Sequence, residues 1–282
     1  TRCGRDWSSD VCSSDLEYPE VFSKQTGRKM KTERMIDPIG YRAKFGVLVP
    51  STNTIVESEF ARLAPEGVSN NTGRFHVDNI DLNSDADFEK LIEQIKGTLD
   101  RSVDDMITCE PDMIVLGMSA ETFWDGKGGS EILKKRLSER AGGLPVALGS
   151  EACQTAVDAF KAKRVAVLTP YWPVGDEMVR RYFTEIGLEV VALKGLKARS
   201  PIHIACQKEE DLVNSLKELN ASEPDLIIQV GTNLCLGAIA AEAERWLEKP
   251  VVAINTAIYH FALRQSGIDD KIFGYGRLLS EH

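Results

Sequence analysis

Four short stretches of this 282-residue chain gather neutral hydrogen-bonding side chains where an apolar run ends. They are residues 51–54 after "KFGVLVP", 119–122 after "PDMIVLGM", 171–173 after "KRVAVLTP" and 232–235 after "PDLIIQVG". Ser51, Thr52, Asn53, Ser119, Thr122, Tyr171, Thr232 and Asn233 supply hydroxyl and amide groups, and loop N–H groups add more donors. Aimed at one oxygen, such donors hold a carboxylate or the charge that develops beside it; losing one typically costs about 2.7–4 kcal/mol of barrier. Two further groups offer nucleophilic attack or proton transfer, the Cys235 thiol and the Glu121 carboxyl.

The elements that would position these loops are repeated. "KRVAVLTP" (163–170) matches "AKFGVLVP" (43–50), "PDLIIQVG" (224–231) answers "PDMIVLGM" (111–118), and "KPVVAIN" (249–255) answers "LPVALGS" (144–150). Helical patterns separate these runs; the longest carries Phe88, Leu91, Ile92, Ile95, Leu99, Val103 and Met106 on one face. Thr54 and Glu57 have the spacing of a capping box ahead of Val56, Phe60 and Leu63. Strands separated by helices favour parallel sheets covered on both faces. The expected fold is therefore α/β: two similar β/α halves, residues 41–162 and 163–282, with parallel sheets related by a pseudo-twofold axis. Ligands of such sheets sit beyond the carboxyl ends of the strands, so the four loops should converge in a cleft between the halves. Residues 1–40 stand apart. "TRCGRDWSSDVCSSDL" has no helical or strand period and reads as translated adapter DNA, so this stretch is expected to be a non-native or disordered extension, with Met30 and Met35 as candidate true starts.

Composition excludes several classes. The chain is 43% hydrophobic and 27% charged, ordinary for a soluble globular protein, and its net charge of −9 argues against a nucleic-acid partner. A small carboxylate remains compatible, because backbone N–H groups bind one without net positive charge. No apolar run is long enough for a membrane span. Six cysteines lie scattered without CxxC or Cys/His pairing, so neither a metal site nor a disulfide framework is expected, and reduced thiols in the cytoplasm are the plain reading. A homo-oligomer is compatible with all of this. The glycines of "DGKGGS" (125–130) read as loop geometry rather than a phosphate cradle.

The same residues carry a family resemblance. "VLVPSTNTIVESE" and "VAVLTPYWP" resemble loops of maleate cis-trans isomerases, whereas "GMSAETFWDG" and the ending "GYGRLLSE" are similar to segments of arylmalonate decarboxylases. The likeness spans roughly residues 42 to 282 and points to the aspartate/glutamate racemase superfamily. It implies an enzyme without cofactor or metal that acts on small carboxylates. By resemblance, Asn53 and Tyr171 hold a substrate carboxylate, and Ser119 stabilises an enediolate.

The family normally supplies one or two catalytic cysteines, and none of the positions on which the resemblance places them holds a thiol. In the first half the position falls on Gly117 or Met118, and in the second on Gly231 or Val230. Cys235 lies four residues beyond Gly231, expected in the first turn of a helix whose N-terminus would lower its pKa. Its other reading is a packing residue, as for Cys153, Cys109 and Cys206. Without a thiol, the acid/base candidates are Glu121, Tyr171 and His260, the last expected to be a satisfied, partly buried histidine. Decarboxylation through a stabilised enediolate is the leading expectation. Isomerisation or racemisation, and carboxylate binding without catalysis, are the alternatives.

Overall fold

The computed structural model describes residues 37–282, so the expectation for residues 1–40 falls almost wholly outside the described part. Within it, β1 (Ala43–Pro50), β2 (Val68–Phe75), β3 (Met113–Leu116) and β4 (Val146–Ala147) form one sheet in the order β2-β1-β3-β4. A second sheet holds β5 (Arg164–Thr169), β6 (Glu189–Gly195), β7 (Leu226–Gln229) and β8 (Val251–Ala253) in the order β6-β5-β7-β8. Every pairing in both is parallel. The two halves thus share one topology, as the repeat requires.

The sequence reading names six of these strands and omits β2 and β6. Both are edge strands. β2, "VSNNTGRF", is polar and only partly buried, and no residue of β6 is fully buried. With a partner on one side only, neither needs the dense apolar run by which central strands are recognised.

Among the described residues, ten α-helices accompany the sheets: α1 (Val56–Leu63), α2 (Asp85–Met106), α3 (Ala120–Phe123), α4 (Gly126–Arg140), α5 (Gly149–Ala159), α6 (Pro173–Glu185), α7 (Glu209–Asn220), α8 (Gly237–Leu247), α9 (Ile254–Gln265) and α10 (Arg277–Glu281). The start of α2 is locally written. Ser84 Oγ accepts from Asp87 N, and the Asp87 carboxylate returns to the Ser84 hydroxyl and Asn83 N. α6 opens on Pro173, whose missing N–H costs nothing at a first turn. The capping box at α1 does not form. Asn53 Oδ1 instead accepts from Ile55 N and Val56 N, each at 3.0 Å, and Glu57 turns outward to pair with Arg74 at 2.6 Å. The N-terminus of α4 is closed by the Glu185 carboxylate, which accepts from Lys127 N at 2.7 Å. Gly126, Gly128 and Gly129, read from the sequence as loop geometry, instead form the first turn of α4 and serve the fold.

Alternation along the second sheet divides its residues between two cores. Val165, Val167, Ile228 and Val252 join the large core of the first half, while Ala166, Leu168, Ile227 and Val251 pack under α7 and α8. Helix α9 follows the last strand of the second sheet yet belongs to the large core. Its Tyr259 ring meets Phe45 of β1 edge-on at 5.9 Å and Phe60 of α1 at 4.9 Å.

Candidate active site

Both sheets change direction of strand order beside their first strand, between β1 and β3 and between β5 and β7. At such points the outgoing loops splay apart and leave a crevice at the carboxyl edge. The four donor-rich loops leave from these four strands, and Asn53, Ser119, Tyr171, Thr232 and Asn233 line one cavity between the halves. Thr232 knits them together. Its N–H donates to Ser119 Oγ at 3.1 Å, its hydroxyl donates to the Gly117 carbonyl at 3.1 Å, and the Asn53 amide donates to its Oγ1 at 3.3 Å. Ser119 Oγ lies 2.7 Å from the Tyr171 hydroxyl. Asn233 holds the facing loop: its Oδ1 accepts from Thr54 N at 2.9 Å, and its amide donates to the Thr52 and Pro201 carbonyls.

The same cavity is also lined by apolar side chains, among them Val77, Phe88, Leu91, Ile95 and Met118. Three of these come from the buried stripe of α2, and Phe88 packs on the Tyr171 ring at 5.2 Å between centroids. The cavity volume is about 60 Å³.

A second layer fixes the loops, and the sequence reading did not single it out. Arg74 of β2 donates to the Asn53 carbonyl at 2.8 Å and the Ser51 carbonyl at 3.3 Å, which pins the loop after β1. Glu59 of α1 is buried; its carboxyl accepts from Asn255 Nδ2 at 2.7 Å and from Gly237 N at 3.2 Å. Asn255 Nδ2 also donates to the Thr232 carbonyl at 2.9 Å. Burial pushes the Glu59 carboxyl up, against the pull of the Asn255 bond. On the Tyr171 side, the Thr169 hydroxyl donates to Asp176 and accepts from Tyr171 N. Burial raises Asp176 to about 6. Only the polar character of Glu59 and Asn255 inside apolar stretches hinted at this layer.

Other residues singled out in the sequence stand elsewhere. Ser51 is exposed, and its hydroxyl exchanges hydrogen bonds with the Val77 backbone; Thr52 is half-buried and does line the cavity. Cys235 does not reach the cavity wall. It is exposed and precedes α8, which begins only at Gly237, so it gains no helix-terminus stabilisation; desolvation, then the Glu59 carboxyl, push its thiol upward. Glu121 is buried in α3 outside the cavity lining, with one carboxyl oxygen unpaired; burial lifts it to about 7, opposed by Lys96 and Arg136. His260 is buried more deeply than expected, with Nε2 unpaired, and burial lowers it to about 4. Cys153 is fully buried in α5.

Two of the four candidate thiol positions, Gly117 and Gly231, explain their own identity. Gly231 has φ +120, and a Cβ there would lie 2.4 Å from Pro170 Cδ; at Gly117 a Cβ would lie 2.5 Å from Val49 Cγ1. Neither position has room for a side chain.

Paired four-stranded parallel sheets are the fold this chain shares with solved maleate isomerase and arylmalonate decarboxylase structures. The family model of arylmalonate decarboxylase matches residues 45–279, and the chain belongs to that family, whose relatives include decarboxylases and isomerases. The maleate isomerase of Nocardia farcinica is 24% identical over 246 residues, covering 84% of this chain and 96% of its own length. That of Pseudomonas putida is 23% identical, covering 84% and 97%. Among solved structures, a variant of the Nocardia farcinica maleate cis-trans isomerase with a covalently bound succinylcysteine intermediate superposes with a TM-score of 0.77, at 22% identity over 85% of this chain and 99% of that one. A liganded double variant of arylmalonate decarboxylase gives 0.73, at 22% identity over 85% and 100%. Among the described residues, no helix is long and apolar enough to cross a membrane, and no cluster of three or more His, Cys, Asp or Glu groups has the geometry to hold a metal.

Proposed function

We propose that the chain decarboxylates a malonate that bears an apolar substituent. The observation that carries this reading is the mixed lining of one cavity: neutral donors from four loops together with the α2 stripe of Phe88, Leu91 and Ile95. Asn53, which keeps one amide hydrogen, and free loop N–H groups are suited to the carboxylate that stays, while Thr232 and Asn233, whose hydrogens go to the protein, would hold these loops in place. The one hydroxyl hydrogen that the Ser119–Tyr171 pair leaves free is suited to the enediolate formed as carbon dioxide leaves. The apolar side chains would receive the substituent and place the departing carboxylate where no cation stabilises it, which favours its loss. Thr52 and Ser51 would shape the loop mouth. The test is incubation with phenylmalonate and methylmalonate, with product followed by proton NMR; release of the monocarboxylate supports the reading.

A second reading, isomerisation of a small unsaturated diacid, is favoured by the names of the relatives. The isomerase relative carries its intermediate on a cysteine, and no cysteine lines this cavity among the described residues. Conversion of maleate to fumarate in the same assay, without malonate turnover, would replace the first reading by the second.

A further inference from the structure

Among the described residues, those lining the cavity include no carboxyl, imidazole, amine, guanidinium or thiol side chain. The one lining group able to ionise is the Tyr171 phenol. The hydrogens of the polar lining can then be counted. Thr232 gives its hydroxyl hydrogen to the Gly117 carbonyl. Asn233 gives amide hydrogens to two backbone carbonyls, and Asn53 gives one to Thr232. Thr52, half-buried, stands where water competes for its hydroxyl.

The Ser119–Tyr171 pair differs. Two hydroxyls 2.7 Å apart hold two hydrogens, and their mutual bond uses one. Ser119 Oγ also accepts from Thr232 N, so when Tyr171 donates, both serine lone pairs are taken and the serine hydrogen is free. When Ser119 donates, the phenol hydrogen is free. Neither oxygen meets another acceptor among the described residues, and both residues border the cavity. In either arrangement one O–H is left for a ligand.

We infer that the Ser119–Tyr171 hydroxyl pair is the proton donor of this site, and that turnover proceeds without a thiol. This rests on the decarboxylase reading above. As the bond to the departing carboxylate breaks, its electron pair passes to the remaining carboxylate as an enediolate, and carbon dioxide leaves. The enediolate carbon takes the free hydrogen of the pair: a C–H bond forms and an O–H bond breaks. The oxyanion left behind is shared between Ser119 Oγ and Tyr171 Oη, is held by the Thr232 N–H, and recovers a proton from water. An enediolate is a far stronger base than a phenolate, so the transfer runs downhill. Burial pushes the phenol above its ordinary range and so keeps the pair loaded at every working pH.

The test uses the full chain with phenylmalonate in heavy water. Iodoacetamide treatment and Cys235→Ser are expected to leave the rate unchanged. Tyr171→Phe and Ser119→Ala should each lower kcat by about 100-fold or more, with KM little changed and the circular dichroism spectrum retained. Where one of these variants fails to fold, the other carries the same expectation. A wild-type kcat in either folded variant overturns the assignment, and so does loss of turnover on alkylation. Absence of turnover by the unmodified chain on both malonates overturns the decarboxylase reading and the assignment with it.

Discussion

Asn255 shows how much one buried amide can hold. Its Nδ2 bridges the Glu59 carboxyl and the Thr232 carbonyl, so a residue of α9 ties a helix of the first half to a loop of the second. Asn255→Ala leaves two buried acceptors without that donor and is expected to cost about 1–3 kcal/mol, read from the denaturant midpoint. Glu121 tests burial in the other direction. Its carboxyl is raised from 4.5 to about 7, so folding favours its protonated form. A raised carboxylate contributes stability below its unfolded pKa and loses it as pH rises through the folded value. Above pH 7 the native state therefore carries the full cost of a buried charge, about 3 kcal/mol for a shift of this size. Glu121→Gln is expected to raise the melting temperature by several degrees at pH 8. At pH 4 the gain should vanish; an equal gain at both values would sink the account. Ser119 and Thr232 were legible as donors because each follows a strand. Glu59 was not, since its partner lies 196 positions away.

At the scale of elements, the loops are held by neighbours rather than by their own sequence. Arg74, on an edge strand that the apolar pattern does not reveal, grips the backbone of residues 51 and 53. Arg74→Ala should loosen Asn53 and raise KM severalfold, while the melting temperature moves little because the guanidinium is partly exposed. Gly231 sets the path of the loop after β7. Its positive φ and contact with Pro170 predict that Gly231→Ala destabilises the fold by more than about 1 kcal/mol, checked by urea unfolding. The helix after this loop also explains the placement of Cys235. The chain spends residues 230–236 crossing the cavity edge before α8 begins, so the cysteine passes the site and emerges at the surface.

At the scale of the molecule, α9 couples the halves. Tyr259 is fully buried against Phe45 and Phe60, and its hydroxyl donates to Asn70 of β2 at 3.2 Å. Tyr259→Ala is expected to cost about 3–5 kcal/mol. Because the same helix holds Asn255, ligand binding should weaken along with stability, as a thermal-shift titration with malonate would read.

The sequence by itself determined the α/β class, the doubled order of strands and the four loops, because burial on both faces forces dense apolar runs that end where donors begin. It also determined that no cysteine occupies positions 117 or 231. Only the tertiary structure decided which donors meet. Hydrogen bonds between Thr232 and Ser119, or Glu59 and Asn255, join positions more than a hundred residues apart, and no local period records them. The same holds for Glu121 and Cys235: their chemistry suited a site, but packing turned one into the protein and the other out to solvent.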